Sequence, residues 1–198
     1  MIRTFALAGG LALMAACTQT QIDESPEDMG AFKLRINHVV TDKAVKGPVS
    51  RDATAEEWKA GLTNAVDARL GRYEGTQEYD IGVYLGAYML APPGVPVIYN
   101  PKSIAIVDVY VYDVGQKKML AREHRIQVLE DTTGESALVG SGHSRTKEEQ
   151  IAGLSLKVAD AIEEWLAEEH QKDGWFDALP DALPDAQAAA PAENPPGS

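Results

Sequence analysis

The chain has 198 residues, a formal net charge of −12 from 18 basic and 30 acidic side chains, and a single cysteine. Its length suffices for one domain with a hydrophobic core plus flanking segments, and its 24% charged and 44% hydrophobic residues are typical of a globular protein. One cysteine excludes a disulfide framework and a cysteine-rich zinc site. The acidity argues against a nucleic-acid-binding protein, because such proteins need clustered basic charge to neutralise phosphates.

The N-terminus has the features of a secretory signal peptide over residues 1–16. Arg3 precedes an apolar run that is shorter than the roughly 20 residues of a membrane-spanning helix and that ends in small residues. The segment Leu13-Met14-Ala15-Ala16-Cys17 resembles a bacterial lipobox. This resemblance implies cleavage before Cys17, lipidation of that cysteine and attachment to the membrane through its acyl chains. The alternative is an ordinary signal peptide in which the cysteine is incidental.

The residues that follow the cysteine bear on location and on domain boundaries. Thr18 stands where inner-membrane lipoproteins carry aspartate, so the resemblance favours the periplasmic face of the outer membrane over the inner membrane. With the lipidated cysteine, residues 17–30 form a polar, acidic tether whose flexible part reaches about 20 Å. Residues 173–198 are rich in Pro, Ala and Asp and predict a disordered tail, acting as a solvated end, a spacer or a partner peptide. One folded domain is therefore expected over residues 31–172.

The domain begins with a predicted strand and a predicted helix. Residues 32–37 alternate apolar and polar side chains, as a half-buried strand does. Thr54 and Glu57 have the spacing of a capping box and predict the start of a helix. The apolar stripe of this helix recurs at three- and four-residue intervals and comprises Trp58, Leu62, Ala65, Val66, Leu70 and Tyr73.

Three predicted strands and a second helix complete the domain. The strands cover about residues 81–89, 103–113 and 118–130, and the last of them has weaker alternation, which suggests a bulge. The core face of the middle strand would carry Ala and Val side chains at 105, 107, 109 and 111. Thr146 and Glu149 have the spacing of another capping box, so they predict the start of the second helix.

The order β-α-β-β-β-α predicts an α+β two-layer sandwich, in which two helices cover one face of an antiparallel or mixed four-stranded sheet. With this order and the lipobox, the chain resembles small bacterial envelope lipoproteins whose domain is similar to the N-terminal domain of TolB. That group includes peptidoglycan-synthase activators and auxiliary lipoproteins of lipid transporters. The resemblance implies an envelope location and this fold, but it does not select one function.

The histidines and the glycine-rich loop do not form a catalytic or metal-binding motif. His38, His124, His143 and His170 lack the spacing of a metal site, so we expect no metal and no cofactor. Residues 140–145 could form an anion-binding nest before a helix, but they lack the pattern of a phosphate loop, which favours a flexible loop.

Four glutamates of the second predicted helix fall on its polar flanks, which predicts solvated carboxylates rather than a buried acid–base pair. They are Glu163, Glu164, Glu168 and Glu169. We therefore expect no enzymatic activity. The catalytic alternative is an envelope hydrolase that uses Ser141 or His143.

The strand pattern places an unusual set of side chains on the sheet face opposite the helices. A half-exposed sheet should carry polar residues there, whereas this one carries tyrosines and isoleucines, which often mark interfaces. The candidate partner-binding residues are Tyr84, Tyr88, Ile104, Ile106, Tyr110 and Tyr112 on the strands, with Val95, Ile98 and Tyr99 in the adjoining proline-rich loop. The alternative is that the loop over residues 91–101 covers this face.

These observations lead to one functional expectation and one alternative. We expect a non-catalytic lipoprotein, anchored in the membrane through its lipid, that binds an envelope protein through the tyrosine-rich face. The alternative is an auxiliary lipoprotein of an envelope lipid-transport system, in which an apolar groove binds a hydrophobic ligand. The sequence names neither the partner nor the pathway.

Overall fold

The computed structural model describes residues 25–92, 102–130 and 145–179. The elements are, in chain order, β1 (Phe32–Val40), β2 (Val45–Lys46), α1 (Ala55–Leu70), β3 (Gln77–Met89), β4 (Ile104–Asp113), β5 (Lys118–Leu129) and α2 (Lys147–Asp173). The predicted order is confirmed, and β2 is an addition. Two residues are too few to show any alternation, so the sequence pattern did not indicate β2. The predicted signal peptide, the lipidation site at Cys17 and residues 180–198 lie outside the described residues.

The strands form one mixed sheet. Its order is β1-β3-β4-β5, and β2 pairs with β3 beyond the end of β1. β1 and β2 run parallel to β3, because α1 carries the chain back between them, whereas the other neighbouring strands are antiparallel. The predicted α+β two-layer sandwich, with two helices against a mixed sheet, is confirmed.

Both predicted capping boxes are present. The Thr54 hydroxyl accepts the Glu57 N–H at 3.1 Å, while the Glu57 carboxylate accepts the Thr54 N–H at 2.8 Å. Thr146 and Glu149 make the same pair of bonds at 3.1 and 2.7 Å. Each box satisfies two donors that would otherwise lack a partner at a helix start, so the beginnings of both helices are set by local sequence.

The core lies between the helices and one face of the sheet. The two helices run in the same direction and approach closely at Gly61, where an added Cβ would lie 2.9 Å from the Ser155 hydroxyl. The predicted core face of β4 is confirmed. The fully buried side chains at the centre of the core include Trp58, Leu62, Val66, Ile81, Leu85, Val107, Val109, Leu154, Val158 and Ile162.

A buried ionic network joins the end of α1 to the middle of α2, and it overturns one expectation. Glu163 is fully buried, so the prediction of a solvated carboxylate at this position is wrong. Its carboxylate accepts hydrogen bonds from the Arg69 guanidinium and the Tyr73 hydroxyl, and from Arg72 Nη2 at 2.6 Å. Arg69 Nη2 also lies 2.5 Å from Asp160 Oδ1. Burial, reinforced by the hydrogen bond to Glu163, raises the pKa of Tyr73.

Two of the other three glutamates behave as predicted for a solvated face, whereas the side chain of Glu169 is only 22% exposed. Glu164 and Glu168 are exposed, whereas Glu163 is turned towards the end of α1. The difference arises because α1 brings Arg69, a residue of its own buried stripe, to the side of α2 on which Glu163 lies. A buried carboxylate is tolerated there because cationic donors surround it.

We expect Glu163→Gln to lower the free energy of unfolding by about 2–4 kcal/mol, because it leaves the buried Arg69 without its full anionic partner. The measurement is urea denaturation followed by circular dichroism. Glu164→Gln on the exposed side of the same helix is the control and should change the stability by less than about 0.5 kcal/mol. Equal effects of the two substitutions would contradict the structural role of the network.

Candidate partner-binding surface

The sheet face opposite the helices carries five of the six predicted strand residues. In the antiparallel register, Tyr84 pairs with Asp108, Gly82 with Tyr110 and Asp80 with Tyr112, so these side chains point to the same side. Neither described helix packs on this side, and the five side chains are partly exposed. We call this surface the open face, defined by Tyr84, Ile104, Ile106, Tyr110 and Tyr112.

Tyr88 is the exception, and its assignment to this surface is wrong. The pairing of β3 with β4 shifts between Leu85 and Ala87, so the bulge at Gly86 reverses the alternation for the rest of the strand. Tyr88 is therefore buried on the helix side. Its ring centroid lies 5.1 Å from that of Trp58, and its hydroxyl donates to the Ala53 carbonyl at 3.0 Å. The glycine was the only signal of this reversal in the sequence.

Glycines on β3 provide space for the tyrosine rings of the open face. A Cβ added at Gly82 would lie 3.4 Å from the Cβ of Tyr110 and 3.8 Å from its Cδ2, so the ring lies over bare backbone. Gly86 stands in a similar relation to Tyr84, whose Cε1 would be 4.0 Å from an added Cβ. An aromatic ring across from a strand glycine restores packing that the glycine lacks. The sheet therefore accounts for part of the burial of these rings.

The tyrosines of the open face differ from the inward ones in their hydroxyl groups. The hydroxyls of Tyr84, Tyr110 and Tyr112 have no hydrogen-bond partner among the described residues. The inward hydroxyls all have one: Tyr73 donates to Glu163, Tyr88 to Ala53, and Tyr79 to the Trp175 carbonyl at 3.2 Å. Burial also raises the pKa of Tyr79 to about 12. The outward hydroxyls are thus available to water or to a partner.

Two bidentate ion pairs lie on the open side of the sheet, each between a central strand and an edge strand. Arg35, at a bulge in β1, donates to both carboxylate oxygens of Asp80 at 2.8 and 2.5 Å. Arg125 of β5 donates to those of Asp108, which pairs with Tyr84 in the middle of the open face, at 2.8 and 3.0 Å. In both pairs the hydrogen bond to the aspartate raises the pKa of the arginine. Arginines of the edge strands thus neutralise these two carboxylates of the central strands.

Three exposed apolar side chains extend the open face towards its edges, and the sequence analysis did not identify them. Ile36 pairs with Asp80, Met119 with Tyr112 and Leu129 with Ile104, so the register places all three on the open side. Their exposed fractions are 46%, 37% and 47%. Each lies in an edge strand with irregular alternation, and only the cross-strand register shows which side it occupies.

The structure does not describe the candidate residues of the two loops. The partner-binding candidates Val95, Ile98 and Tyr99 lie outside the described residues, as do the catalytic candidates Ser141 and His143.

Of the glycine-rich segment over residues 140–145, the structure describes only Arg145, and its contacts do not indicate an anion-binding nest. Arg145 Nη1 donates to the buried Glu130 carboxylate at 3.0 Å, and the Arg145 carbonyl accepts from Arg51 at 3.1 Å. The guanidinium is therefore engaged by a carboxylate. Within residues 25–92, 102–130 and 145–179, no three His, Cys, Asp or Glu side chains are grouped as metal ligands.

The three described histidines have different surroundings. His38 is exposed and points to the open side of β1. His124 stacks on Trp165 with a centroid separation of 3.9 Å, and His170 accepts the backbone N–H of Phe176 at its Nδ1. No helix in the described part of the chain is long and apolar enough to cross a membrane.

Comparisons with known proteins find matches among solved structures at very low sequence identity. No protein-family model matches the chain, and no curated protein matches it. Protein XCC0632 of Xanthomonas campestris, from the DUF330 family, is 9% identical over 75% of this chain and 90% of its own, with a TM-score of 0.39. A predicted lipoprotein of Caulobacter crescentus CB15 is 11% identical over 71% and 93%, with a TM-score of 0.30. PelC of Paraburkholderia phytofirmans, described as a dodecamer, is 10% identical over 67% and 91%, with a TM-score of 0.32.

We expect Tyr88→Ser to lower the free energy of unfolding by about 3 kcal/mol, because it empties a packed site and removes a buried hydrogen bond. Tyr84→Ser, on the open side of the same strand, should cost about 1 kcal/mol or less. Urea denaturation of the two variants beside the native chain measures the difference. Similar losses at both positions would show that the open face is packed as a core.

Proposed function

We propose that the chain is a lipid-anchored, non-catalytic lipoprotein of the bacterial envelope that binds another envelope protein through its open face. The observation that carries this proposal is the apolar, tyrosine-bearing side of the sheet, which neither described helix covers. Sheet faces that meet only water usually carry polar side chains. A surface of this composition is stabilised when a partner removes it from water.

The chemistry of the open face specifies the kind of partner that fits. It offers the isoleucine side chains at 104 and 106 and three tyrosine rings, so the partner should present a comparable apolar surface. The tyrosyl hydroxyls, which no described residue satisfies, call for hydrogen-bonding groups on that surface. The Arg35–Asp80 and Arg125–Asp108 pairs are internally neutralised, so they favour a partner with polar groups over a strongly charged one.

The same surface also suits the alternative function, in which the occupant is a lipid. Acyl chains bind apolar surface without needing hydrogen bonds, whereas the tyrosyl hydroxyls and the two ion pairs favour a protein. An envelope protein is therefore the occupant that we propose. Lipid that co-purifies with the chain and is lost in Ile106→Ser, with no protein cross-link from this face, would replace the proposal by the alternative.

The partner is tested by site-specific photo-cross-linking in the intact cell. A photoreactive phenylalanine analogue at position 110 should capture a defined envelope protein, while the same analogue at the exposed position 164 of α2 should not. The captured protein, once purified, should bind the chain directly. Its affinity should fall at least tenfold, which is about 1.4 kcal/mol, in the folded Tyr84→Ser variant. Identical capture from both positions, or unchanged affinity, would contradict the proposal.

Anchoring is tested separately at the cysteine. Because only Cys17 can form the thioether, Cys17→Ser should abolish fatty-acid labelling and move the chain from the membrane fraction to the soluble fraction. Tyr110→Ser is the control and should retain both labelling and membrane association. Continued labelling of the Cys17→Ser variant would exclude lipidation at this residue and would leave the test of the open face unaffected.

A further inference from the structure

The segments on either side of the domain are joined at one end of the molecule. Gly174, with a φ of 66°, ends α2 and turns the chain back towards the start of β1. Ala31 N–H donates to the Phe176 carbonyl at 2.8 Å, and the Gln77 side-chain amide donates to the Asp177 carbonyl at 2.6 Å. We call residues 29–31 and 174–177 together the clasp. It brings the residues before β1 into direct contact with the residues after α2.

Aromatic packing holds the clasp closed. Phe176 is fully buried, and its ring centroid lies 5.0 Å from that of Phe32 and 4.9 Å from that of Tyr79. Met29, at the other side of the clasp, is also buried. The packed chain thus continues beyond residue 172, the boundary expected from composition. Opening the clasp would expose this aromatic cluster to water.

His170 sits between the two halves of the clasp in the last turn of α2. Its Nδ1 accepts the Phe176 N–H at 3.3 Å, which only the neutral imidazole can do at that atom. A Cβ added at Gly30 would lie 2.8 Å from its Nε2, so the ring lies directly against the N-terminal half as well. Its side chain is only 13% exposed. The clasp is therefore built around the His170 ring, with Nδ1 as a hydrogen-bond acceptor.

The surrounding charges compensate a protonated imidazole only weakly. In the C-terminal half, Asp177 Oδ1 lies 3.9 Å from Nδ1, but its side chain is 76% exposed. In the N-terminal half, Asp28 is engaged by the Gly30 N–H at 3.1 Å. On α2 itself, Glu169 and Asp173 lie near Lys172. The carboxyl end of the helix also favours a cation.

The charges that favour a protonated imidazole act through solvent, which screens them. Protonation, in contrast, leaves the partly buried Phe176 N–H without its acceptor. An exposed ion pair contributes less than an unsatisfied buried amide costs. Loss of this acceptor therefore weakens the contact between the two halves of the clasp.

From this geometry we propose that His170 is an acid-sensitive switch that opens the clasp. Histidine is the side chain that ordinarily changes charge between pH 5 and 8. Near neutral pH the imidazole accepts the Phe176 N–H and the clasp is closed. As the pH falls, protonation removes that acceptor and the equilibrium shifts towards an open form, in which residues 29–31 and 174–177 separate. The switch does not depend on the lipid anchor or on the occupant of the open face.

Amide hydrogen exchange, measured by NMR on the full chain between pH 7.5 and 5.0, tests the switch. The protection factors of the Ala31 and Phe176 amides, corrected for the intrinsic exchange rate at each pH, should fall about tenfold on acidification, as expected for the loss of one buried hydrogen bond. The amides of Val107 and Val109 in the central strands should keep their protection. Constant protection of Ala31 and Phe176 across this range would overturn the proposal.

Three variants separate His170 from other causes. His170→Asn keeps an acceptor near the position of Nδ1 but does not titrate, so the fall in protection should disappear. His38→Asn, at an exposed histidine, should leave the fall unchanged. Asp177→Asn removes the nearest anion from the protonated ring and should deepen the fall. A fall that persists in His170→Asn, or that becomes smaller in Asp177→Asn, would refute the mechanism.

A direct titration covers the case in which His170→Asn does not fold. In the native chain, the pH at which Ala31 and Phe176 lose protection should coincide with the titration of the His170 imidazole in the NMR spectrum. Coincidence with the titration of His38 or His124 instead would exclude His170 as the switch.

Discussion

The buried carboxylate of Glu163 constrains how the two helices are arranged. A charge in the core is tolerated only where donors surround it, and Arg69, Arg72 and Tyr73 provide these donors from the end of α1. They converge on Glu163 in one relative position of the two parallel helices, which the close approach at Gly61 also requires. With the helices locked side by side, both pack on the same face of the sheet. Neither described helix consequently covers the opposite face, and the open face results from this arrangement.

The uncovered side is adapted to exposure without becoming polar. Bidentate pairs neutralise its carboxylates, and the bulge at Arg35 interrupts one edge strand, a feature that limits uncontrolled strand pairing. Tyrosine rings cover the glycines of β3, which reduces the apolar area that water contacts. A surface with these properties is compatible with water and still has apolar area for the partner that we propose. The proposed function follows from this combination rather than from any catalytic arrangement.

The sequence predicted features that depend on neighbouring residues and missed those that depend on distant ones. Both capping boxes and the core face of β4 were predicted correctly, since each is encoded within a few residues. Glu163 was misassigned because these partners are 90 or more residues away in the chain. Tyr88 was misassigned because a single bulge reverses strand alternation. Ile36, Met119 and Leu129 became recognisable as parts of the open face only through the cross-strand register.

The tyrosines show how one residue type serves two purposes in this molecule. At positions 73, 79 and 88 the ring fills the core and the hydroxyl is satisfied by the chain itself, so each of these residues fixes one piece of structure to another. At positions 84, 110 and 112 the rings lie on the open side, with hydroxyls that no described residue satisfies. A residue needed only to fill a strand would not require a hydroxyl in either place, because phenylalanine packs equally well. Inside, the hydroxyl adds a specific bond to the fold. Outside, the same group keeps the face compatible with water and is ready to bond to a partner.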